Sequence, residues 1–382
     1  MKIVIAPDSF KESLSALAVA TAIADGVRLA LPNAEIVLAP VADGGEGTTE
    51  ALVRATQGQL LIEAVTDPLG NHITAQWGLL GNSQTAVIEC AAASGLHLVP
   101  PTLRNPMLTT TYGMGELIKA ALDKGLRHFV IGLGGSATND GGAGLLQALG
   151  LHLLDAQGHE LPFGGAALSK LALINTAYFD PRIAECRFEV ACDVTNPLTG
   201  ETGASAIFGP QKGANPEQVK LLDQALTHWG EAIRQTTGKA VSTVAGAGAA
   251  GGLGAAFLGF FNAELKSGIE LILDAMQFDE LVKEADLVVT GEGRLDQQTL
   301  YGKTPLGVAK RAKRYGVPVI AVAGALTADL AQLKTLGIDA AFSICPRTMS
   351  LEEAIPETDL NLVQTAYAIA SVWVSAKGLS LS

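Results

Sequence analysis

The feature that most constrains the fold is a regular alternation of short apolar runs and longer helical patterns in the first 57 residues. The run KIVIA (2–6) is apolar and short, as in a buried strand. Residues 13–31 follow with apolar side chains at helical spacing and are stopped by Pro32. The segment AEIVLAPVADGGEGT (34–48) then reads as strand and loop, and TTEALVRAT (48–56) as the next helix. This order predicts a parallel sheet whose strands end in ligand-binding loops.

The same rhythm returns near the C-terminus and is interrupted in the middle of the chain. It resumes in ADLVVTGEG (285–293), PLGVAKRAKRYG (305–316) and VPVIAVAG (317–324). Residues 60–99 instead form short runs between turn signals, which is typical of a meander. Further strands are expected at 127–133, 187–194 and 240–245, with a helix over 216–236; the pattern does not decide which sheet 127–133 joins.

We therefore predict an α/β protein with two domains. A Rossmann-like, doubly wound parallel-sheet domain is discontinuous and comprises residues 1–64 and 284–382. A second α/β domain, residues 65–283, is inserted into it. The uncharged window 244–261 contains too many glycines for a membrane span and is read as a glycine-rich turn that leads into a buried helix.

Charge and cysteine content narrow the classes of partner. A net charge of −12 argues against nucleic acid and anionic membranes, which need a basic face. Four cysteines lie far apart without a CxxC pair, so neither a disulfide framework nor a zinc site is expected. The apolar run at the N-terminus is too short for a signal peptide, which favours a cytoplasmic protein. Formation of a homo-oligomer is left open.

Three glycine motifs compete as nucleotide-binding loops. In FVIGLGGSATNDGGAG (129–144), Gly132, Gly134 and Ala137 fit a GxGxxA pattern, and Asp155 follows at the distance of a ribose-binding acid. This favours a nicotinamide-dependent oxidoreductase as the alternative function. The motif GAGAAG (246–251) is open between phosphate binding and helix packing. The triplet GKT (302–304) is not a P-loop, because Gln297 stands where that motif requires glycine.

Acidic residues follow several of the predicted strands, next to small polar residues and glycines. They are Asp8, Asp43, Glu46, Asp140, Asp193, Glu292 and Asp296, and the cations Lys11, Lys212, Arg294 and Lys303 lie in the same loops. Each acid alone is best explained as a turn or helix-cap residue. Together, at equivalent strand ends, they favour phosphoryl transfer, which needs carboxylates for Mg²⁺ and for the attacking hydroxyl, and cations for the phosphates.

Eight stretches together resemble the type 1 glycerate kinases. They are APDSFKESLSA (6–16), PVADGGEGT (40–48), YGMGELI (112–118), IGLGGSATNDGGAG (131–144), CDVTNPLTG (192–200), FGPQKGA (208–214), AGAGAAGGLG (245–254) and TGEGRLDQQTLYGKTP (290–305). They occur in order over almost the whole chain. The resemblance implies phosphorylation of D-glycerate, dependent on ATP and Mg²⁺, in a two-domain α/β protein without a P-loop. We favour 2-phosphoglycerate over 3-phosphoglycerate as the product.

We assign the nucleotide side of the reaction to the loop after the strand at 127–133. ATP phosphates are expected on the backbone of Gly134 and Gly135 and on Ser136, with Asn139 nearby. Either Lys212 or Lys303 would be the cation on the β- or γ-phosphate. Asp193, with Asp140 as second choice, would hold Mg²⁺.

The candidate residues for glycerate lie in loops near both ends of the chain. Ser9, Lys11 and Arg294 are candidates for anchoring the carboxylate of the substrate. Asp43 and Glu46 would accept hydrogen bonds from its hydroxyls. Asp8 or Asp296 is the expected base for the attacking hydroxyl. In catalysis itself we expect Asp8, Lys11, Asp193, Asp296 and Lys303 to take part.

Overall fold

The structure is a computed structural model that describes residues 1–42, 47–297 and 304–376. The contacts divide the chain into two compact units: unit 1 is Met1–Asp43 with Ile269–Ser382, and unit 2 is Gly44–Gly268. The domain limits predicted above place residues 44–64 and 269–283 differently, and those limits stay a prediction. Both units are mixed α/β with parallel strands, so the predicted α/β class is confirmed; the Rossmann-like description stays a prediction.

The strands are short and alternate with helices along the chain. They are β1 (Lys2–Pro7), β2 (Glu35–Leu38), β3 (Gln59–Thr66), β4 (His72–Leu79), β5 (Thr85–Glu89), β6 (His128–Gly132), β7 (His152–Leu154), β8 (Leu173–Asn175), β9 (Arg187–Ala191), β10 (Ala263–Lys266), β11 (Leu287–Leu295), β12 (Val319–Leu326) and β13 (Ala340–Ser343).

The α-helices are α1 (Ala16–Ala30), α2 (Thr48–Ala55), α3 (Cys90–Ser94), α4 (Tyr112–Asp123), α5 (Ala143–Ala148), α6 (Ala204–Phe208), α7 (Pro216–Thr237), α8 (Ala249–Phe260), α9 (Gly268–Ala275), α10 (Phe278–Val282), α11 (Thr304–Arg314), α12 (Leu330–Thr335) and α13 (Leu351–Ala376). Single 3₁₀ turns lie at Leu96–Leu98, Pro101–Leu103, Gly165–Lys170, Pro181–Glu185 and Pro210–Lys212. In the ranges that the structure describes, no helix is long and apolar enough to cross a membrane.

Unit 1 is built on a five-stranded parallel sheet in the order β13-β12-β11-β1-β2. The strand β1 pairs on one side with β11, with Ile3 opposite Leu287, and on the other with β2. The helix α1 begins after Ser15, whose hydroxyl accepts a hydrogen bond from the Ala18 amide, and it buries Val19, Ile23 and Val27 at helical spacing. It packs on α13, and the helix predicted at 13–31 is confirmed.

Unit 2 contains a six-stranded sheet in the order β10-β9-β6-β5-β4-β3. The strands β5, β6, β9 and β10 are parallel, and β3, β4 and β5 form the predicted antiparallel meander. The strand expected at 127–133 is β6 and belongs to this sheet. Its core includes the fully buried Trp77 and the stacked rings of Phe129 and Phe188, 4.6 Å apart.

The prediction of a strand at 240–245 is wrong, because this segment forms turns. Its Ser242 carbonyl accepts a hydrogen bond from the Leu198 amide, and its side chain contacts α7 where Gly230 leaves room. A short run with β-branched residues was therefore overridden by packing against its neighbours. The window 244–261 contains a turn and the helix α8, as expected.

Candidate active site

The glycine-rich loop after β6 is fixed on the segment that follows α3. The Leu96 amide donates to the Gly135 carbonyl, and the Ala137 amide donates to the Ser94 carbonyl. Gly135 has a φ of +73°, a left-handed conformation that favours glycine. Gly134 is half-buried and Gly135 is exposed, whereas residues 136–140 are buried. Only the beginning of the loop therefore presents its backbone to a ligand.

The ammonium group of Lys212 lies beneath this loop. Its Nζ donates to the hydroxyl of Ser136 at 2.8 Å and to the carbonyl of Thr138 at 2.7 Å, and the residue is 2% exposed. No ion pair found among the described residues includes this Nζ, although the carboxylate of Asp140 is near enough to favour its charged form. Burial lowers the pKa of Lys212 from its ordinary 10.5 to about 8. A lysine carries three donors, so two hydrogen bonds leave one donor for a further acceptor.

Several other polar atoms of this region are buried without a partner in the described part of the chain. They are Ser94 Oγ, Thr138 Oγ1 and Asn139 Oδ1. The amide nitrogen of Asn139 donates to Ser205 Oγ at 3.0 Å, which ties the loop to α6. Unsatisfied buried groups are rare in native structures and are found at functional sites more often than elsewhere. The two hydroxyls and the third N–H of Lys212 can donate to a bound anion, whereas Asn139 Oδ1 can only accept a hydrogen bond. These donors make this loop the best candidate for an anion-binding site in unit 2.

Asp140 holds the loop in place from inside the unit. Its carboxylate accepts from the amides of Thr111, Gly142 and Gly144 and from the Thr111 hydroxyl, and it is fully buried. Burial raises the pKa of Asp140, although these hydrogen bonds lower it. The carboxylate thus connects the starts of α4 and α5. Its predicted role as second-choice metal ligand stays a prediction, and its oxygens face protein donors in this structure.

The second glycine motif, residues 246–251, packs against the glycine-rich loop that follows β6. The Gly251 carbonyl accepts from the Gly141 amide, and a Cβ on Gly251 would lie 2.0 Å from the Thr138 carbonyl oxygen. Ala250, Gly251 and Gly252 all have left-handed backbone conformations at the start of α8. The glycine is required here because two backbones touch, which favours the packing interpretation of this motif.

Asp155 is not placed where a ribose-binding acid of a dinucleotide-binding fold would be. It follows β7, which pairs with β8 in a separate two-stranded sheet and not with the strands of the six-stranded sheet among the described residues. Its carboxylate accepts from the Gln157 and His159 amides and closes a turn. A dinucleotide-binding acid belongs at the end of the next strand of the same parallel sheet. The spacing that favoured the oxidoreductase is therefore the spacing of a hairpin turn.

Asp193 follows β9 at the same edge of the sheet as the glycine-rich loop. The strands β6 and β9 are parallel neighbours, with Gly132 opposite Ala191, so the loops after both strands begin side by side. Asp193 is exposed, and it accepts a hydrogen bond from the Gly268 amide at 2.9 Å. In the ranges 1–42, 47–297 and 304–376, no three or more His, Cys, Asp and Glu side chains are placed to enclose a metal ion. An exposed carboxylate beside a candidate anion-binding loop nevertheless fits Mg²⁺, which is commonly held by one or two carboxylates and the substrate phosphates.

In unit 1, the predicted residues gather at the ends of β1 and β11. These strands are parallel neighbours, with Pro7 opposite Gly291, so Asp8, which follows β1, lies next to Glu292, which is still within β11. Asp8 is almost buried: its Oδ1 accepts from the Ser9 amide at 2.6 Å, and its Oδ2 accepts from the Thr304 hydroxyl at 2.7 Å. A Cβ on Gly293 would lie 3.6 Å from the Phe10 Cα, so the loop after β1 lies against β11.

The remaining predicted residues of this unit differ in exposure. Lys11 and Arg294 are exposed, and Ser9 and Asp296 are half-buried. Asp43, Glu46 and Lys303 lie outside the described residues, so their predicted roles stay predictions.

Two residues with direct contacts to these loops were missed by the sequence. Glu89, the last residue of β5, accepts from the amides of Gly47 and Thr49 and so caps the start of α2. Thr304, the first residue of α11, binds Asp8. The only signal for Thr304 was its place in the GKT triplet; for Glu89 it was an acid at the end of a predicted strand.

Known proteins match this chain over almost its whole length. The profile of the Glycerate kinase family matches residues 3–374. The glycerate kinase of Haemophilus influenzae is 54% identical over 372 residues, which cover 97% of this chain and 98% of that protein. The glycerate 2-kinase of Escherichia coli is 52% identical over 371 residues, 97% of each chain. A crystal structure from Salmonella typhimurium, described as a candidate glycerate kinase 2, matches with a TM-score of 0.91 and 52% identity over 99% of this chain and 100% of the other. The chain therefore belongs to the glycerate kinase family.

Proposed function

We propose that this protein catalyses the ATP-dependent phosphorylation of D-glycerate to 2-phosphoglycerate. The observation that carries the proposal is the buried ammonium of Lys212 beneath the glycine-rich loop, without a carboxylate partner among the described residues. A buried cation of this kind is costly, and a bound phosphate oxygen would compensate it. The choice of the 2-hydroxyl is supported by the E. coli relative, which is named glycerate 2-kinase and is 52% identical.

On the nucleotide side, the loop and Lys212 bind and neutralise the phosphates. The amides of Gly134 and Gly135 lie at the accessible start of the loop, and the Ser136 hydroxyl is held by Lys212. Asn139 acts through the loop conformation, since its side chain binds Ser205. Mg²⁺, when bound, would neutralise phosphate charge, and Asp193 is the residue we assign to hold it. Lys303 is kept as the alternative cation on the transferred phosphate.

On the glycerate side, Asp8 is our choice for the base, with Asp296 as the alternative. The glycerate hydroxyl oxygen would attack the γ-phosphorus, the bond from that phosphorus to the bridging oxygen of ADP would break, and the hydroxyl proton would pass to the Asp8 carboxylate. Ser9, Lys11 and Arg294 would anchor the substrate carboxylate, and Asp43 and Glu46 would bind its hydroxyls. Asp8 is preferred because donors on both of its oxygens fix the carboxylate at the end of β1.

The test is incubation of the protein with ATP, Mg²⁺ and D-glycerate, followed by phosphorus NMR of the product. We expect one new signal, that of 2-phosphoglycerate; absence of any phosphoglycerate would contradict the function, and 3-phosphoglycerate would contradict the regiochemistry. Lys212→Met should lower kcat by about 100-fold or more, as loss of an electrostatic catalytic group does. The matched control is Lys220→Met, which removes an exposed lysine of α7 and should leave kcat unchanged. Titration with NADH tests the oxidoreductase, for which tight binding would be required.

A further inference from the structure

Thr304 is the residue that donates to the second carboxylate oxygen of Asp8. It is the first residue of α11 and 1% exposed, and its hydroxyl donates to Asp8 Oδ2 at 2.7 Å. The backbone of Asp8 is fixed separately, because its amide donates to the Gly291 carbonyl of β11 at 2.8 Å. The main chain of Asp8 is thus set by the sheet, and the side chain receives a donor from a helix that follows β11 in the chain.

The donors from Ser9 do not set the direction of this carboxylate relative to the sheet. The Ser9 amide and hydroxyl both reach Oδ1, at 2.6 and 3.3 Å, but they belong to the adjacent residue and move with the same turn. Thr304 binds the opposite oxygen, Oδ2, from an element distant in sequence. Two donors on different oxygens and from different elements restrict rotation of the carboxylate about its χ2 angle, which is otherwise a broad torsion.

Thr304 itself is held firmly because α11 is anchored two turns further on. The guanidinium group of Arg311, 4% exposed, binds the carboxylates of Glu270, Asp274 and Asp279 on α9 and α10. Residues 304 and 311 lie on the same face of the helix. The network around Arg311 therefore fixes the direction of α11 and with it the position of the Thr304 hydroxyl.

We propose that Thr304 is a positioning residue that orients the Asp8 carboxylate toward the glycerate hydroxyl and keeps it ionised. The inference rests on the proposed function, in which Asp8 takes the proton. A hydroxyl that donates to a carboxylate stabilises its charged form. A carboxylate held in its reactive orientation also loses less conformational freedom on reaching the transition state. A threonine that only stabilised the start of α11 would affect unfolding and leave the pH dependence of turnover unchanged.

The test compares Thr304→Val, which keeps the shape and removes the hydroxyl, with Thr304→Ser, which keeps the hydroxyl. For Thr304→Val we expect kcat to fall about 10- to 100-fold, with KM values within about twofold, since the lost contact acts on the reacting group. The acidic limb of the kcat profile should move up by about half to one pH unit, because the carboxylate then binds its proton more tightly. Thr304→Ser should restore both within about threefold. The charged neighbours on β11, Glu292 and Arg294, are the same in all variants, so the difference in pH profile reports the hydroxyl.

A matched control and a second variant distinguish loss of the Thr304 hydrogen bond from a general effect on folding. Thr358→Val removes another buried hydroxyl of unit 1, which binds Ser13 and the Ala354 carbonyl, and it should leave the pH profile unchanged. Thr304→Ala replaces Thr304→Val if the latter fails to fold. Unchanged kcat and pH profile after loss of the hydroxyl, or a serine variant as impaired as the valine variant, would overturn the inference while wild-type activity upheld the proposed function. A wild-type protein that does not phosphorylate glycerate would overturn both.

Discussion

Lys212 should give the folded protein a distinctive dependence of stability on pH. Burial lowers the pKa of its ammonium group from 10.5 to about 8. Between these values the unfolded chain binds the proton and the folded chain does not, so the free energy of unfolding rises with pH across this window. Below pH 8 both states are charged and the cost of burial is at its maximum, about 3 kcal/mol at ~1.4 kcal/mol per pH unit.

Lys212→Met removes this ionisable group, so the difference between the two proteins isolates its contribution. The free energy of unfolding of the wild type, minus that of the variant, should increase by about 2 to 3 kcal/mol between pH 7 and pH 10. The constant part of the difference also contains the hydrogen bonds to Ser136 and Thr138, which do not change sign with pH. Only the slope is therefore diagnostic.

The assay is equilibrium unfolding in urea at several pH values, followed by circular dichroism for the wild type, Lys212→Met and Lys220→Met. Titrating residues remote from Lys212 are common to the wild type and the variant and cancel in each difference. Cys90 interacts electrostatically with Lys212, but burial raises the pKa of its thiol to about 12, above this pH range. The exposed Lys220 should give a difference that is flat with pH. A flat difference for Lys212→Met as well would refute the reasoning, because the ammonium would then be as well solvated in the folded state as in the unfolded one.

Three further outcomes follow from the same geometry. Gly251→Ala should destabilise unit 2 by at least about 2 kcal/mol more than Gly125→Ala in urea unfolding, because both have a left-handed φ but only at Gly251 would a Cβ meet a carbonyl, 2.0 Å away; equal effects would contradict the close approach. Asp193→Ala should lower kcat about 100-fold in steady-state assays, and wild-type turnover would remove it from the mechanism. Binding of MgATP at pH 9 should take up a proton at Lys212, because phosphate favours the charged ammonium. Calorimetry in buffers of different ionisation enthalpy measures this uptake, and binding without a proton change would place the phosphates elsewhere.

The local elements of this protein could be predicted from its sequence, because their signals are local. The helix α1 combines a serine cap, helical apolar spacing and a following proline, and all three features act within one segment. The meander of β3, β4 and β5 was visible in turn residues between short apolar runs. The prediction of a strand at 240–245 was wrong because the length and composition of this segment also suit a turn. Packing against α7 decided between strand and turn.

The candidate site was only partly accessible to the same reasoning. The pattern found the loops that carry Lys212 and Asp8, since both follow glycine-rich or strand-end motifs. It could not distinguish Asp140, which is buried under four hydrogen bonds, from Asp193, which is exposed, because burial depends on the packing of other elements. Thr304 was missed for the same reason: its partner Asp8 is remote in sequence, and a spacing rule cannot encode such a contact.

The order of strands in unit 1 has a consequence for biosynthesis. The strand β1 is synthesised long before β11, one of its two neighbours in the sheet, which begins only at Leu287. All strands of unit 2 are synthesised before that point. We therefore expect unit 2 to fold before β1 forms its hydrogen bonds to β11. Pairing of these two strands, which brings together residues far apart in the chain, should then be a late event of folding. A nascent chain that stalls before β11 would expose an open sheet edge with Ile3 and Ile5 in it, which makes stalled or truncated products the species most prone to aggregate.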